Sequence, residues 1–314
     1  MEEIIRAQQL IKRYVKNKQA EPALAGIDLS VDAGQLYGIV GPDGAGKTTL
    51  LRILATAMEP TSGSAQVAGY DVHKQPEAIR TRLGYMPQAF SLYPDLSVLE
   101  NLRFFADING VPPKQQKTRI DELLEFARLT EFTSRRSENL SGGMRKKLAL
   151  ACSLIHNPQI LLLDEPTTGV DPVSRRELWQ LLSKVIQQGV TVLVSTPYMD
   201  EAERCNTISM IYKGSILITG APTALEMQMP FGIIEVKARP RRALRKMADE
   251  TEGVVRWRAV GDRLRISAVN PGKTMPQIKT ALAKEGAEIS ILREARVEME
   301  DVFIHLVEKQ EAPA

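Results

Sequence analysis

Residues 41–48 read Gly41-Pro42-Asp43-Gly44-Ala45-Gly46-Lys47-Thr48, the pattern G-x-x-x-x-G-K-[ST]. They lie between the apolar run Leu36-Tyr37-Gly38-Ile39-Val40 and the helix-like run Thr49-Leu50-Leu51-Arg52-Ile53-Leu54. A strand, a glycine turn and a helix start in that order build an anion cradle. The glycines let successive backbone N–H groups turn toward phosphate oxygens, and the helix N-terminus adds partial positive charge. Lys47 then reaches the outer phosphates, Thr48 offers its hydroxyl to Mg²⁺, and Thr49 places a second hydroxyl near an inner phosphate.

Ile160-Leu161-Leu162-Leu163-Asp164-Glu165 reads as a fully buried parallel strand that delivers two carboxylates at its C-terminal end. Asp164 suits a place near the metal, and Glu165 suits activation of an attacking water. Gln88 follows the strand-like run Leu83-Gly84-Tyr85-Met86-Pro87 and stands within reach of the metal or the water, although alone it reads as a loop residue. Ser141-Gly142-Gly143-Met144 opens a helix with a basic first turn, Arg145-Lys146-Lys147. Basic residues there oppose the helix dipole unless an anion docks, and an ordinary N-cap accounts for the same residues. Tyr14 is either a stacking platform for a purine ring or a plain surface tyrosine.

These residues need a scaffold of 314 residues, of which 43% are hydrophobic, enough for a large domain and a smaller one. Residues 4–40 read as short, mostly antiparallel strands, and residues 65–72 resume strand character after a turn at 60–64. Residues 96–138 are helical in pattern, with Ser97 as an N-cap, so a helical insertion of about 89–154 interrupts the nucleotide core. A helix over 174–188 and a strand over 190–196 complete a βαβ alternation. Residues 221–231, with Pro222 and Pro230, read as a linker. Beyond it, strand 233–238, helix 241–250, strands 254–259 and 263–268, helix 275–284 and strand 287–292 give βαββαβ, a ferredoxin-like order, before a last helix over 299–307.

The net charge of +3 is too small to argue for nucleic acid. Cys152 and Cys205 show no metal spacing and suit a reduced intracellular setting. His73, His156 and His305 are scattered and are assigned to no metal. No run approaches the ~18 apolar residues that would cross a bilayer, so a membrane link comes from a partner. Arg239, Arg241, Arg242 and Arg245 crowd one stretch; an anion site and a solvated helix face both fit, the second being the more ordinary.

The phosphate loop, Gln88, Leu140-Ser141-Gly142-Gly143-Met144, Asp164-Glu165 and Asp171, in this order, resemble the nucleotide-binding domain of ABC ATPases over roughly residues 4–220. The resemblance implies an α/β fold: a P-loop NTPase core with an antiparallel β subdomain and a helical subdomain, here joined to the small α+β ferredoxin-like domain. The expected division is 1–220, a linker 221–231, and an accessory domain over 232–310. The resemblance further implies ATP and Mg²⁺ as cofactors, with Tyr14 on the adenine and Asp171 at the nucleotide site. It also implies a second ABC domain paired head to tail, whose ATP meets Ser141, Gly142 and Gly143 of this chain.

Tyr198-Met199-Asp200-Glu201-Ala202-Glu203 and the end of the chain resemble ATPase subunits of ABC-2-type exporters, including drug efflux systems. That implies a membrane-spanning permease on a separate chain and a place on the cytoplasmic side of the cell membrane. Three positions depart from the family pattern. Met144 and Val170 are mild changes, whereas Pro197 stands where a histidine usually contacts the terminal phosphate. This departure favours pairing with a non-identical ABC domain over a homodimer. The competing expectations are a soluble ABC ATPase acting on ribosomes or DNA, and a nucleotide-sensing half that completes a partner's site.

Overall fold

The computed structural model describes residues 2–14, 21–89 and 91–311. They divide into two units, Met1–Pro222 and Thr223–Ala314.

In the first unit the strands sort by their burial pattern. β1 (Glu3–Lys12) and β2 (Leu24–Asp32) alternate buried and exposed positions, and pair antiparallel with β4 (Ser62–Val67) and β5 (Tyr70–Asp71) in the order β2-β1-β4-β5. One face of this sheet meets a core and the other meets water. By contrast, β3 (Leu36–Val40) and β7 (Ile160–Asp164) are buried at every position, as are all residues of β8 (Thr191–Thr196). With β6 (Leu83–Met86), β9 (Thr207–Tyr212) and β10 (Ser215–Gly220) they form a second sheet, ordered β10-β9-β3-β8-β7-β6. It is parallel except for β10. Residues 36–40 thus belong to the parallel sheet, whereas the sequence grouped them with antiparallel strands. The expected strand over 65–72 is broken at Ala68 and Gly69, both at positive φ.

The parallel order puts the ends of β3, β7 and β8 side by side, and the functional turns leave from these ends. Val40 is level with Thr196, and Asp164 with Ser195. Helix α1 (Lys47–Leu54) follows β3 directly and buries Leu50, Leu51, Ile53 and Leu54. Each such side chain contributes roughly 1.5–3 kcal/mol by leaving water. Helix α2 (Pro76–Arg80) precedes β6.

The helical insertion comprises α3 (Val98–Ile108), α4 (Pro113–Ala127) and α5 (Gly142–Ser153). Ser97 caps α3 in a capping box with Glu100. Asn101, fully buried, accepts from the Tyr93 amide at 2.9 Å and donates to the carbonyls of Tyr93, Leu96 and Ser97 at 3.0–3.1 Å. It thereby holds the segment between Gln88 and α3. After β7, α6 (Pro172–Gln187) leads back to β8, and α7 (Met199–Ala202) follows β8.

The second unit contains β11 (Gly232–Arg239), α9 (Arg241–Glu250), β12 (Val254–Val260), β13 (Arg263–Ala268), α10 (Pro271–Lys284), β14 (Glu288–Ala295) and α11 (Met299–Glu311). Its antiparallel sheet runs β12-β13-β11-β14, the ferredoxin-like order, over a core that includes Ile234, Val236, Leu244, Ile266, Ile278 and Leu282. The expected linker is corrected here: Pro222–Met227 is a helix, α8, and Glu226 is ion-paired with Arg296 at 2.7 Å. The stretch is therefore tied down rather than free. Among the described residues no helix is long and apolar enough to cross a membrane.

Candidate active site

The turn between β3 and α1 closes because Gly46 adopts φ 110°, where a side chain would be strained and a Cβ would meet the Ala23 carbonyl at 2.5 Å. Across it the Gly41 amide donates to the Thr196 carbonyl at 3.3 Å, and the Ala45 amide to Pro42 at 3.2 Å. Gly44 is also left-handed, and the Asp43 side chain is exposed.

Lys47 is buried, and its Nζ donates to the carbonyls of Gly41 (2.9 Å) and Pro42 (3.0 Å) and pairs with Glu165 Oε1 at 3.2 Å. The ammonium thus occupies the mouth of its own loop. Glu165 also accepts from Gln88 Nε2 (2.8 Å) and Thr168 Oγ1 (3.3 Å). Its φ of 49° turns the chain sharply off β7.

Asp164 is fully buried, and its Oδ1 accepts from Thr48 Oγ1 (3.1 Å) and Ser195 Oγ (2.7 Å). Its Oδ2 is buried with no hydrogen-bond partner. A buried carboxylate oxygen left without a donor, beside a threonine hydroxyl, is the hard-oxygen environment that Mg²⁺ takes. Among the described residues no cluster of three or more Asp, Glu, His or Cys could cage a metal by itself.

A second cluster forms where α5 and α6 begin. Ser141 caps α5, accepting from the Met144 amide at 3.2 Å, and Asp171 caps α6, accepting from Val173 and Ser174 at 3.0 Å. A hydrogen bond from the Ser174 side chain, followed by that from the Ser174 amide, holds the Asp171 carboxyl below its ordinary range. Gly143 is fixed by close approach, since a Cβ there would meet Ser174 Oγ at 2.2 Å. Gly142 faces the Gly169 carbonyl, 3.5 Å from where its Cβ would stand. Tyr14 donates to or accepts from Thr49 at 2.9 Å; the residue is 61% exposed, and Lys12 Nζ stands over its ring, 5.7 Å from the centroid.

The family model described as ABC transporter matches residues 24–168. The daunorubicin resistance ATP-binding protein DrrA3 of Streptomyces coeruleorubidus is 34% identical over 303 residues, which cover 94% of this chain and 93% of the relative. The chain belongs to the ABC transporter ATPase family. The probable multidrug ABC transporter ATP-binding protein YbhF of Escherichia coli (strain K12) is 50% identical over 209 residues, 67% of this chain, but the match spans only 36% of YbhF. A solved structure, the ATP-binding cassette MJ0796 in a dimeric post-hydrolysis state bound to ADP and Pi, superposes with a TM-score of 0.64 at 27% identity, covering 69% of this chain and 98% of the other.

In this ABC ATPase three contributors escaped the sequence reading. Ser195 ties both acids, donating to Asp164 and accepting the Glu165 amide at 3.1 Å. Lys146, buried on α5, donates to the carbonyls of Gln88 (3.3 Å) and Glu165 (3.4 Å). Burial pushes its ammonium below the usual range, against the pull of Asp164 and Glu165, while burial pushes the Asp164 carboxyl up. Finally, fully buried Glu201 accepts from Arg175 Nε (2.6 Å), Trp179 Nε1 (3.1 Å) and Thr196 Oγ1 (2.5 Å). Thr196 also accepts the Tyr198 amide at 3.1 Å. Its hydroxyl is therefore committed to Glu201 and the Tyr198 amide. The signal for Ser195 and Thr196 was two hydroxyls ending an otherwise aliphatic strand.

Proposed function

We propose that this ABC ATPase is the ATP-hydrolysing subunit of an ABC-2-type exporter of drugs or other hydrophobic cargo, seated on the cytoplasmic face of the membrane against a permease on a separate chain. The match to DrrA3, which runs through both units, carries this reading. Thr48, Asp164 and Gln88 would hold Mg²⁺, which would supply charge neutralisation for the phosphates.

In the mechanism, Lys47 leaves the Gly41 and Pro42 carbonyls for the outer phosphates, which releases Glu165 from its ion pair. Glu165, held by Gln88 and Thr168, then takes a proton from the attacking water. The exposed Tyr14 carries the adenine. Ser141, Gly142, Gly143 and Asp171 present the α5–α6 edge to the nucleotide of a second ABC domain. With Pro197 at the usual histidine position and Thr196 committed to Glu201, a symmetric pair lacks one donor at each terminal phosphate, a loss of roughly 10²–10³ in rate. Pairing with a non-identical, histidine-bearing domain leaves one fast site.

The test is affinity isolation of the tagged chain from detergent-solubilised membranes. The expected preparation contains a multi-span protein in fixed ratio and a second, different ABC chain. A homodimer would overturn the heteromeric pairing, and ribosomes or nucleic acid without a membrane protein would overturn the exporter reading.

A further inference from the structure

The arginine-rich stretch after β11 is not used by the ATPase site. In the second unit a cavity of about 460 Å³ opens between the first turns of α9 and the tip of the β12–β13 hairpin. Arg241, Arg242 and Arg245 from the helix and Arg263 from the hairpin line it, over a floor that includes buried Leu244 and Leu264. Arg239 does not line it. The amphipathic pattern of α9 explains the convergence: Ala243, Leu244, Met247 and Ala248 face the core, so the intervening arginines face the hairpin side and solvent.

The charge that α9 brings to this cavity is only partly balanced by the protein. The side chains of Arg241, Arg242 and Arg245 make no hydrogen bond or ion pair with any described residue, and Arg242 is near enough to Glu285 to act on its charge. The acid in the lining, Asp262, pairs with Lys237 at 2.5 Å and stands 3.9 Å from Arg263, which also leans on Glu235 at 3.4 Å, so the charge left without a partner is that of Arg241, Arg242 and Arg245. Arg241 and Arg245 are a like-charge i,i+4 pair on a helix that starts after Pro240 without a side-chain cap. Like charges at that spacing and cations in a first turn both weaken a helix. Guanidinium forks match phosphate oxygens bidentately, and the cavity has the size of a small-ligand pocket.

We propose that this cavity binds a phosphate- or pyrophosphate-bearing anion of charge −2 or more attached to a body that covers the Leu244–Leu264 floor. A soluble phosphorylated molecule and an anionic lipid headgroup share that chemistry. The site is separate from the phosphate loop and serves binding, not hydrolysis.

Hydrogen exchange on the full-length chain separates the two sites, because each reports on its own peptides. Inorganic pyrophosphate, and separately vesicles of phosphatidylglycerol or phosphatidylcholine, are added to the wild type, to R241Q/R242Q/R245Q, and to R103Q/K114Q/K117Q as a charge-matched control. At ten times Kd a bound anion slows exchange over 241–248 and 259–264 by about tenfold. We expect this in the wild type and the control but not in the arginine variant. Protection of 41–54 by pyrophosphate in all three proteins shows that each is folded. Protection of α9 by pyrophosphate identifies a soluble phosphoanion, whereas protection by phosphatidylglycerol alone identifies a headgroup. No protection of α9 by either, or protection that persists in the arginine variant, overturns the site.

Discussion

At the scale of single residues, one hydroxyl links the two acids of the candidate site. Ser195 Oγ bridges the Glu165 amide and Asp164 Oδ1, so it fixes the acid assigned to the metal and the backbone of the acid assigned to water. Outer-layer partners of this kind typically contribute 10–100-fold to affinity or rate. Ser195→Ala is therefore expected to lower phosphate release by ~10–100-fold at saturating MgATP while leaving the fit of ATP to the Lys47 loop close to unchanged. Steady-state kinetics with a nucleotide titration checks this split; an equal loss in binding and turnover would place Ser195 in general folding instead. Lys47, Thr48, Asp164 and Glu165 were legible in the sequence because their chemistry is written in local order. Ser195, Lys146 and Glu201 were not, because their roles arise from strand register and helix packing between distant segments.

At the scale of elements, capping chemistry decided where readings succeeded. Ser97 announced α3 through its spacing to Glu100, and the structure shows both hydrogen bonds of the box. Pro222 was instead read into a linker, and Pro271 was left outside a helix expected over 275–284. They stand at helix starts, α8 and α10, where the missing proline N–H costs nothing and its fixed φ favours the first turn. The sequence also gave no sign of the buried hub at Asn101, since one asparagine in a helical pattern looks like a surface position. Its amide satisfies Tyr93, Leu96 and Ser97 where water does not reach. Asn101→Ala leaves those backbone groups unpaired and is expected to destabilise the chain by about 3 kcal/mol in urea titration. A change below about 0.5 kcal/mol would mean that water or neighbours take over the contacts.

At the scale of the whole molecule, the two units carry different chemistry. Met1–Pro222 holds the phosphate loop, both acids and the α5–α6 edge, whereas the unit from Thr223 onward holds the arginine cavity and has no phosphate loop. We read the second unit as an accessory domain, whose β-order was legible because hairpins and amphipathic helices are local patterns. The central claim is that Lys47 binds the phosphates and Glu165 performs the proton chemistry, two roles joined in this structure by an ion pair of 3.2 Å. The most direct measurement compares MgATP affinity by calorimetry and phosphate release for the wild type, Lys47→Ala and Glu165→Gln in the assembled complex. The account predicts that Lys47→Ala loses both binding and turnover. Glu165→Gln should keep binding, because the amide preserves shape, while its turnover falls by on the order of 10²–10⁴ with the loss of the base. Full hydrolysis by Glu165→Gln, or unchanged ATP affinity in Lys47→Ala, would contradict it.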